Sequence, residues 1–563
     1  MDNLFKLQKP SKDFILKIVA FGVFANGILT VLNSLALHIG IHRPLMDVDF
    51  RINTAIVVGI TLIYLSTLLS RRKHTAWVIS LCIYAFLLVV NTIEALFSAS
   101  RHDFVAVSLV RTILLPMVVV TALVYYAKEF NVRSDIRSFT VSLRYVILVL
   151  AITLVYGVAG FQLLDKRDFH REISVPQAAY YSIDQFGLIN HHPLVPHSRR
   201  SKVFLDSLSL VGAMSLIYAG AALFQPIRAR LTDQSRDRER LKALLEKGPA
   251  SSEDFFKLWP HDKIYMLTPD GSAGLAYHVT RGVALCVGDP VGSTSGRRSL
   301  MLQFKEECRT NDWLPAFIHT EPNFSDFYRH YGYTVQKIGE EAIVNIDHFL
   351  NIQAKEKYFR QISNRFVKQG YTTELLKPPQ SDAVLSRLRQ VSNEWLSLPS
   401  RAERGLMMGY FTNEYLREHS ILVLRDEAST IQAFINQVPS YDPPEGTYDI
   451  LRYSNQAPGN TNDYLLLELM KLLKEDGYER FNLGLCPLAG MNKDTEGEDP
   501  SVLDNILGFV YTNGNRIYPF SFNGLHRFKA KFEPEWSSRY IAYQGGLRGL
   551  TRTTRALTRA MKR

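Results

Sequence analysis

Between Phe14 and Ile227 the chain carries six long apolar stretches, and from about residue 235 onward it carries none. One hydrophobic core cannot serve both patterns. The first half is patterned for a bilayer and the second for water. Crossing a bilayer core takes about 20 apolar residues of helix. The stretches are Phe14–Leu37, Thr54–Leu69, Trp77–Leu96, Ala106–Ala127, Tyr145–Leu164 and Val203–Ile227, the second being the shortest. The first has no small-residue cleavage site and five more follow it, so it reads as a span and not as a signal peptide.

Orientation follows from the basic residues of the short loops. Lys6, Lys9 and Lys12 precede the first span, and Arg71, Arg72 and Lys73 follow the second. Lys128, Arg133, Arg137 and Arg144 separate the fourth and fifth, and Arg228 and Arg230 follow the sixth. The alternate loops carry fewer. Both termini and the soluble half are therefore expected in the cytoplasm. A net charge of +11 suits anionic lipid or nucleic acid as partner without choosing between them. Cys82, Cys286, Cys308 and Cys486 are widely spaced, with no ligand pattern around them, so neither a disulfide nor a metal site is expected.

After a charged linker over 228–245, strands are predicted at Ile264–Leu267, Gly282–Val287 and Leu314–His319, with helices at Ser299–Asp312 and Phe324–Gly332. The alternation restarts after a polar break near 375–400. It gives a hairpin from Ile421–Arg425 and Thr430–Gln437, a strand at Tyr448–Tyr453, a helix at Asn462–Gly477 and a strand at Arg480–Leu485. Two α/β units of ordinary domain size fit this repetition.

Four segments could carry chemistry. In the first, Asp449 and Arg452 lie three apart in an apolar run; a regular strand would point them to opposite faces and a turn to one face. Buried charges need partners, so a pair that only holds the fold is the plain alternative. The second runs from Asn482 through Gly484 to Gly490, where small residues at a strand end admit a ligand to the backbone or simply make a tight turn. It contains neither a dinucleotide nor a P-loop signature. The third, Phe522 to Trp536, interleaves Arg527, Lys529 and Lys531 with aromatic residues, suiting phosphate contact with stacking, or an amphipathic edge strand with solvated lysines. The fourth, with Arg548, Arg552, Arg555, Arg559 and Lys562 on one helical face, suits anionic headgroups or tRNA, or is a solvated tail.

At these residues the chain resembles the phosphatidylglycerol aminoacyltransferases, the lysylphosphatidylglycerol synthetases and their alanyl counterparts of the multiple peptide resistance factor family. The resemblance is strongest in RGLMMGYF (404–411), TYDILR (447–452), FNLGLCPLAG (481–490) and FNGLHRFKAKFEPEWSSRYIAY (522–543). It implies an α-helical membrane domain of about six transmembrane helices followed by α/β tandem acetyltransferase-like (GNAT) folds. The divisions are 1–230, 231–390, 391–547 and a basic C-terminal tail at 548–563.

The implied activity moves an aminoacyl group, lysyl in the first instance, from aminoacyl-tRNA to the glycerol headgroup of phosphatidylglycerol. The product lowers membrane negative charge, with resistance to cationic antimicrobial peptides as the implied role. The family's Asp-x-x-Arg pair falls on Asp449 and Arg452 as catalytic residues. Substrate binding falls on Asn482, Gly484, Arg527, Lys529, Lys531, Trp536 and Arg539. By analogy, Arg452 and the lysines hold the lipid phosphate or the tRNA end, and Asp449 helps activate the hydroxyl. Exchange between two esters needs no ATP, metal or organic cofactor. It needs positioning, proton transfer and oxyanion stabilisation.

Longer members carry an additional N-terminal block of spans assigned to flipping the product lipid, whereas this chain begins almost directly at the spans that accompany the synthase. A separate flippase and a homo-oligomer are the further partners this leaves open. The expected location is a bacterial inner membrane, multi-pass, with the soluble domain in the cytoplasm. Rival readings are a tRNA-dependent transferase acting on a cell-wall peptide precursor, a membrane-anchored ligand-binding protein without activity, and a transporter.

Overall fold

A computed structural model describes residues 12–39, 54–98, 113–132, 136–164, 169, 173–186, 197–223, 234–248, 251–399, 401–441, 444–491 and 522–562. The chain divides into two compact bodies, Met1–Ile227 with Arg309–Asp312, and Arg228–Cys308 with Trp313–Arg563.

The first body is helical: α1 (Lys12–Ile39), α2 (Thr54–Leu69), α3 (His74–Ser98), α4 (Leu115–Tyr125), α5 (Ile136–Leu163), α6 (Val175–Phe186) and α7 (Arg199–Leu223). Each predicted span falls on one of these helices, although 106–112 and 224–227 lie outside the described residues. Among the described residues, two windows are long and apolar enough to cross a membrane, Ile15–Leu32 and Arg144–Leu163, and α2, α3 and α4 contribute shorter apolar stretches. Small residues let helices approach: a methyl group on Gly27 would meet the Gly59 carbonyl at 2.7 Å. The amphipathic α6 packs Ala178 with Phe161 and Phe204.

In the second body twelve strands among the described residues form one sheet. They are β1 (Ile264–Leu267), β2 (Ala273–Thr280), β3 (Val283–Val287), β4 (Val291–Gly292), β5 (Leu314–Thr320), β6 (Thr334–Asn345), β7 (Thr372–Leu376), β8 (Ile421–Arg425), β9 (Ile431–Val438), β10 (Glu445–Tyr453), β11 (Arg480–Pro487) and β12 (Glu535–Tyr543). Their order is β1-β2-β3-β5-β12-β6-β11-β10-β9-β8-β7, with β4 on β2. Pairing is antiparallel except for β3 with β5 and β10 with β11. Helix α8 (Ser235–Leu245) precedes the sheet, and the two parallel joins are crossed by α9 (Thr294–Thr310) and α12 (Thr461–Glu475), as parallel neighbours require.

The last strand does not stay with its own neighbours in sequence. β12 runs between β5 and β6, while β6 pairs on its other side with β11. The early and late strands are thereby interleaved across the sheet. One face packs Leu385, Leu388 and Val391 of α11 (Asp382–Leu396) and Ala556 of α14 (Gly546–Met561). The other packs Phe359, Ile362 and Phe366 of α10 (Lys357–Lys368) with the leucines of α12.

The third motif is corrected in form. Phe522–Ala530 is a helix, α13, followed by β12, which is an interior strand and not an edge. Its basic-aromatic alternation imitated a strand period, but a 3.6-residue period places Lys529 inward and leaves Arg527 exposed. Most of the basic segment, 548–561, belongs to α14, whose Thr553 and Ala556 are buried while Arg548, Arg555 and Arg559 face solvent.

Candidate active site

The two parallel strands β10 and β11 pair only at Glu445–Arg480, Gly446–Phe481 and Thr447–Asn482. Beyond that point both strands bulge, β10 between Tyr448 and Leu451 against β9, and β11 between Asn482 and Leu485 against β6. A bulge turns a strand and frees residues from its ladder. Two bulges at one level splay the strands into a wedge, with Asp449 on one wall and Gly484 on the other. Gly484 has φ +81°, a left-handed conformation that glycine adopts without strain.

Asp449 sits in the β10 bulge with both carboxylate oxygens occupied. Oδ1 accepts the Gly409 amide at 2.8 Å and Oδ2 accepts the Tyr415 hydroxyl at 2.6 Å. The Tyr415 ring lies flat on Trp259, with centroids 4.6 Å apart and planes 7° apart. Burial lifts the Asp449 carboxyl to about 6, against the Tyr415 and Gly409 hydrogen bonds and the Arg452 charge, which pull it down. Gly409 lies in the RGLMMGYF motif, and a methyl group there would overlap Asp449 Oδ2 at 1.7 Å.

The bulge also settles the spacing question. Asp449 and Arg452 both reach elements on the same side of the sheet, but they do not hydrogen-bond to each other. Arg452 holds Glu403 with two nitrogens, Nη1 to Oε1 at 2.9 Å and Nη2 to Oε2 at 2.8 Å. Its Nη1 also meets Ser392 Oγ, and its guanidinium lies 5.1 Å from the Trp395 ring centre. Glu403 Oε1 further accepts the Phe411 amide at 3.3 Å. Asp449 and Arg452 thus fasten the 403–411 segment to β10 at two points.

Across the wedge, Lys529 is buried and donates to the carbonyls of Gly484 at 2.8 Å and Leu485 at 3.2 Å. Burial lowers its pKa. Asn482 is fully buried; its Oδ1 accepts the Gly484 amide at 2.7 Å and its Nδ2 lies 3.2 Å from Ser252 Oγ. Arg539 on β12 pairs with buried Glu341 on β6, and His319 Nε2 lies 2.7 Å from Glu341 Oε1. Burial would raise the Glu341 carboxyl, but His319, Arg539 and Asn482 outweigh it and hold it well below the usual range.

Sequence reasoning missed Glu253. It lies in a short turn, Ser252–Asp254, that Ser251 caps and that Ser252 anchors by donating to Glu445 Oε1 at 2.6 Å. A methyl group on Gly484 would lie 3.7 Å from Lys529 Nζ and 4.0 Å from Glu253 Oε1, so both side chains face the Gly484 wall. Burial, then the Glu341 charge, pushes the Glu253 carboxyl well up. The only local signal was the S-S-E-D capping pattern, which marks a turn and not a site.

Three predicted residues go elsewhere. Lys531 pairs with Asp463 of α12 and donates to Tyr358 Oη at 3.0 Å. Trp536 stacks on His526, with centroids 4.2 Å apart. Arg527 is exposed on α13. Among the described residues no group of three or more His, Cys, Asp or Glu is placed to hold a metal, and all four cysteines are free.

Comparison with known proteins agrees with this architecture. Residues 242–543 match the family described as phosphatidylglycerol lysyltransferase, C-terminal. A phosphatidylglycerol lysyltransferase of Bacillus subtilis (strain 168) is 33% identical over 318 residues, covering 56% of this chain and 36% of that protein. One from Staphylococcus haemolyticus is 27% identical over 311 residues, covering 55% and 36%. The chain therefore spans about a third of the length of the curated relatives it matches. The solved structure of L-PGS from Bacillus licheniformis is similar at 32% identity and a TM-score of 0.50, covering 60% of this chain and 98% of that one. With more than half of its length inside the match, the chain belongs to the phosphatidylglycerol lysyltransferase C-terminal family.

Proposed function

We propose that this chain transfers an aminoacyl group, lysyl in the first instance, from aminoacyl-tRNA to the glycerol headgroup of phosphatidylglycerol in the inner leaflet. One observation carries the reading. The wedge between β10 and β11 gathers Asp449, Asn482, Gly484, Lys529 and Arg539 against Glu253 and Glu341. A lipid phosphodiester suits the cations of Lys529 and Arg539. The carboxylates beside them suit a hydroxyl that must lose a proton. The relatives named above support lysine as the transferred group.

Arg452 and Asp449 act here through the 403–411 segment that they hold. In this reading Arg452 positions that segment, and the lipid and tRNA phosphates meet Lys529, Arg539 and the basic face of α14. The activated ester on tRNA supplies the driving force, so the protein has only to align two reactants and shelter the tetrahedral oxyanion.

Six spans, both termini in the cytoplasm and residence in a bacterial inner membrane complete the reading. Supporting it, Phe21, Ile152 and Val155 are each more than half exposed on α1 and α5, as lipid-facing side chains would be. Residues 231–390 and 391–547 are read as two acetyltransferase-like units that share the sheet. Lowered membrane charge and resistance to cationic peptides would follow from the product.

The test is expression in a bacterium whose lipids contain no aminoacylated phosphatidylglycerol. Mass spectrometry of the extracted lipids is expected to show the lysyl ester of phosphatidylglycerol. Lipids unchanged from the empty host, with the protein present in the membrane, would contradict the reading.

A further inference from the structure

Asp449 is poorly placed to take a proton from an incoming hydroxyl, because Gly409 and Tyr415 already use both of its oxygens. Glu341 is no better, fully buried between Arg539 and His319. Glu340 and Glu445 are likewise engaged, with Lys337 and with Ser252 and Arg480. Glu253 differs from all of these: its carboxylate has no hydrogen-bond or ion-pair partner among the described residues.

The turn that carries it is nonetheless fixed. Ser251 closes a capping box with Asp254, and Ser252 ties the turn to Glu445 at the closed end of the wedge. A rigid backbone thus presents an unoccupied carboxylate toward the Gly484 wall, beside Lys529. A bare carboxylate on a fixed turn is unfavourable for stability unless a ligand takes it up. The groups facing it are Glu341 on β6, Lys529 on α13, Asp449 and Tyr448 on β10, and Arg539 on β12.

We propose that Glu253 is the general base of the transfer, accepting the proton of the lipid glycerol hydroxyl at the mouth of the wedge. The inference rests on the aminoacyl-transfer reading above. As Glu253 takes the proton, the hydroxyl oxygen bonds to the carbonyl carbon of the aminoacyl ester. The tetrahedral adduct then collapses, the bond from carbon to the tRNA ribose oxygen breaks, and Glu253 returns its proton to that oxygen. Nothing is consumed beyond the two reactants. Burial and the Glu341 charge make the Glu253 carboxylate a stronger base than an ordinary one, and Lys529 beside it favours the ionised form.

The experiment measures initial rates with full-length protein, lysyl-tRNA and phosphatidylglycerol vesicles from pH 5 to 9. Glu253→Gln is expected to lower kcat by about 100-fold or more, with KM for the lipid changed less than about threefold, and to lose the acid limb of the wild-type profile. Glu253→Asp should recover part of kcat and keep the limb. Should Glu253→Gln lower the melting temperature, the Asp variant decides by the same two readings. Wild-type kcat and an unchanged pH profile in a folded variant would overturn the assignment. No product from the wild-type protein would instead remove the transfer reading, and the base with it.

Discussion

The Tyr415 hydroxyl donates to Asp449 Oδ2 at 2.6 Å, while its ring is stacked on Trp259. A carboxylate in the β10 bulge is therefore held by a phenol that is itself held by an indole. Asn436 completes the arrangement by accepting the Ile450 amide at 2.6 Å, which fixes the bulge backbone. The short motif TYDILR thus depends on partners scattered from residue 259 to residue 436.

This setting makes stability depend on pH in a defined window. Asp449 keeps its proton to about pH 6 in the fold, against roughly 4 in an unfolded chain. The folded state binds the extra proton between those values, so stability is greatest below the window and declines as pH rises through it. Asp449→Asn has no proton to release. Its melting temperature is expected to fall less than that of wild type between pH 4 and 6.5, a difference on the order of 2 kcal/mol. Parallel melting curves across that range would contradict the assignment.

The Arg452–Glu403 pair should behave as one structural unit. Removing Glu403 leaves the buried Arg452 guanidinium without its carboxylate, which costs about 3 to 5 kcal/mol, whereas removing Arg452 leaves a part-exposed Glu403 and costs less. Arg452→Ala is expected to lower the melting temperature as well as activity, and Glu403→Ala to do the same. The double variant should be less destabilised than the sum of the two. Strict additivity in denaturant titrations would mean that the pair is not coupled.

The basic face of α14 should carry tRNA. Replacing Arg548, Arg555 and Arg559 with Glu removes three exposed cations while leaving Thr553 and Ala556 in the core. KM for lysyl-tRNA is expected to rise at least tenfold, and its salt dependence to become shallower, because fewer counterions are released. An unchanged salt slope would place the tRNA elsewhere.

Much of the fold was legible because its signals are local. The apolar stretches fall on α1 to α5 and α7, and the hairpin β8–β9 and helix α12 stand where their periodicity puts them. The interleaving of β12 between β5 and β6 was not legible, since nothing in a strand's own residues names its neighbours. At the site, Asp449, Asn482, Gly484, Lys529 and Arg539 do meet at the wedge. Lys531 was indistinguishable from Lys529 in sequence, yet two residues along the chain reverse its direction and bring it to Asp463. Glu253 was invisible because what singles it out is the lack of a partner among the described residues, and that is a property of three dimensions.

The most direct test of the account uses purified protein, lysyl-tRNA with a labelled lysyl group, and vesicles of phosphatidylglycerol, with no nucleotide added. Label is expected to move into the lipid fraction, and vesicles of phosphatidylcholine alone to receive none. Label remaining on tRNA with phosphatidylglycerol present, under conditions where the protein is folded, would contradict it.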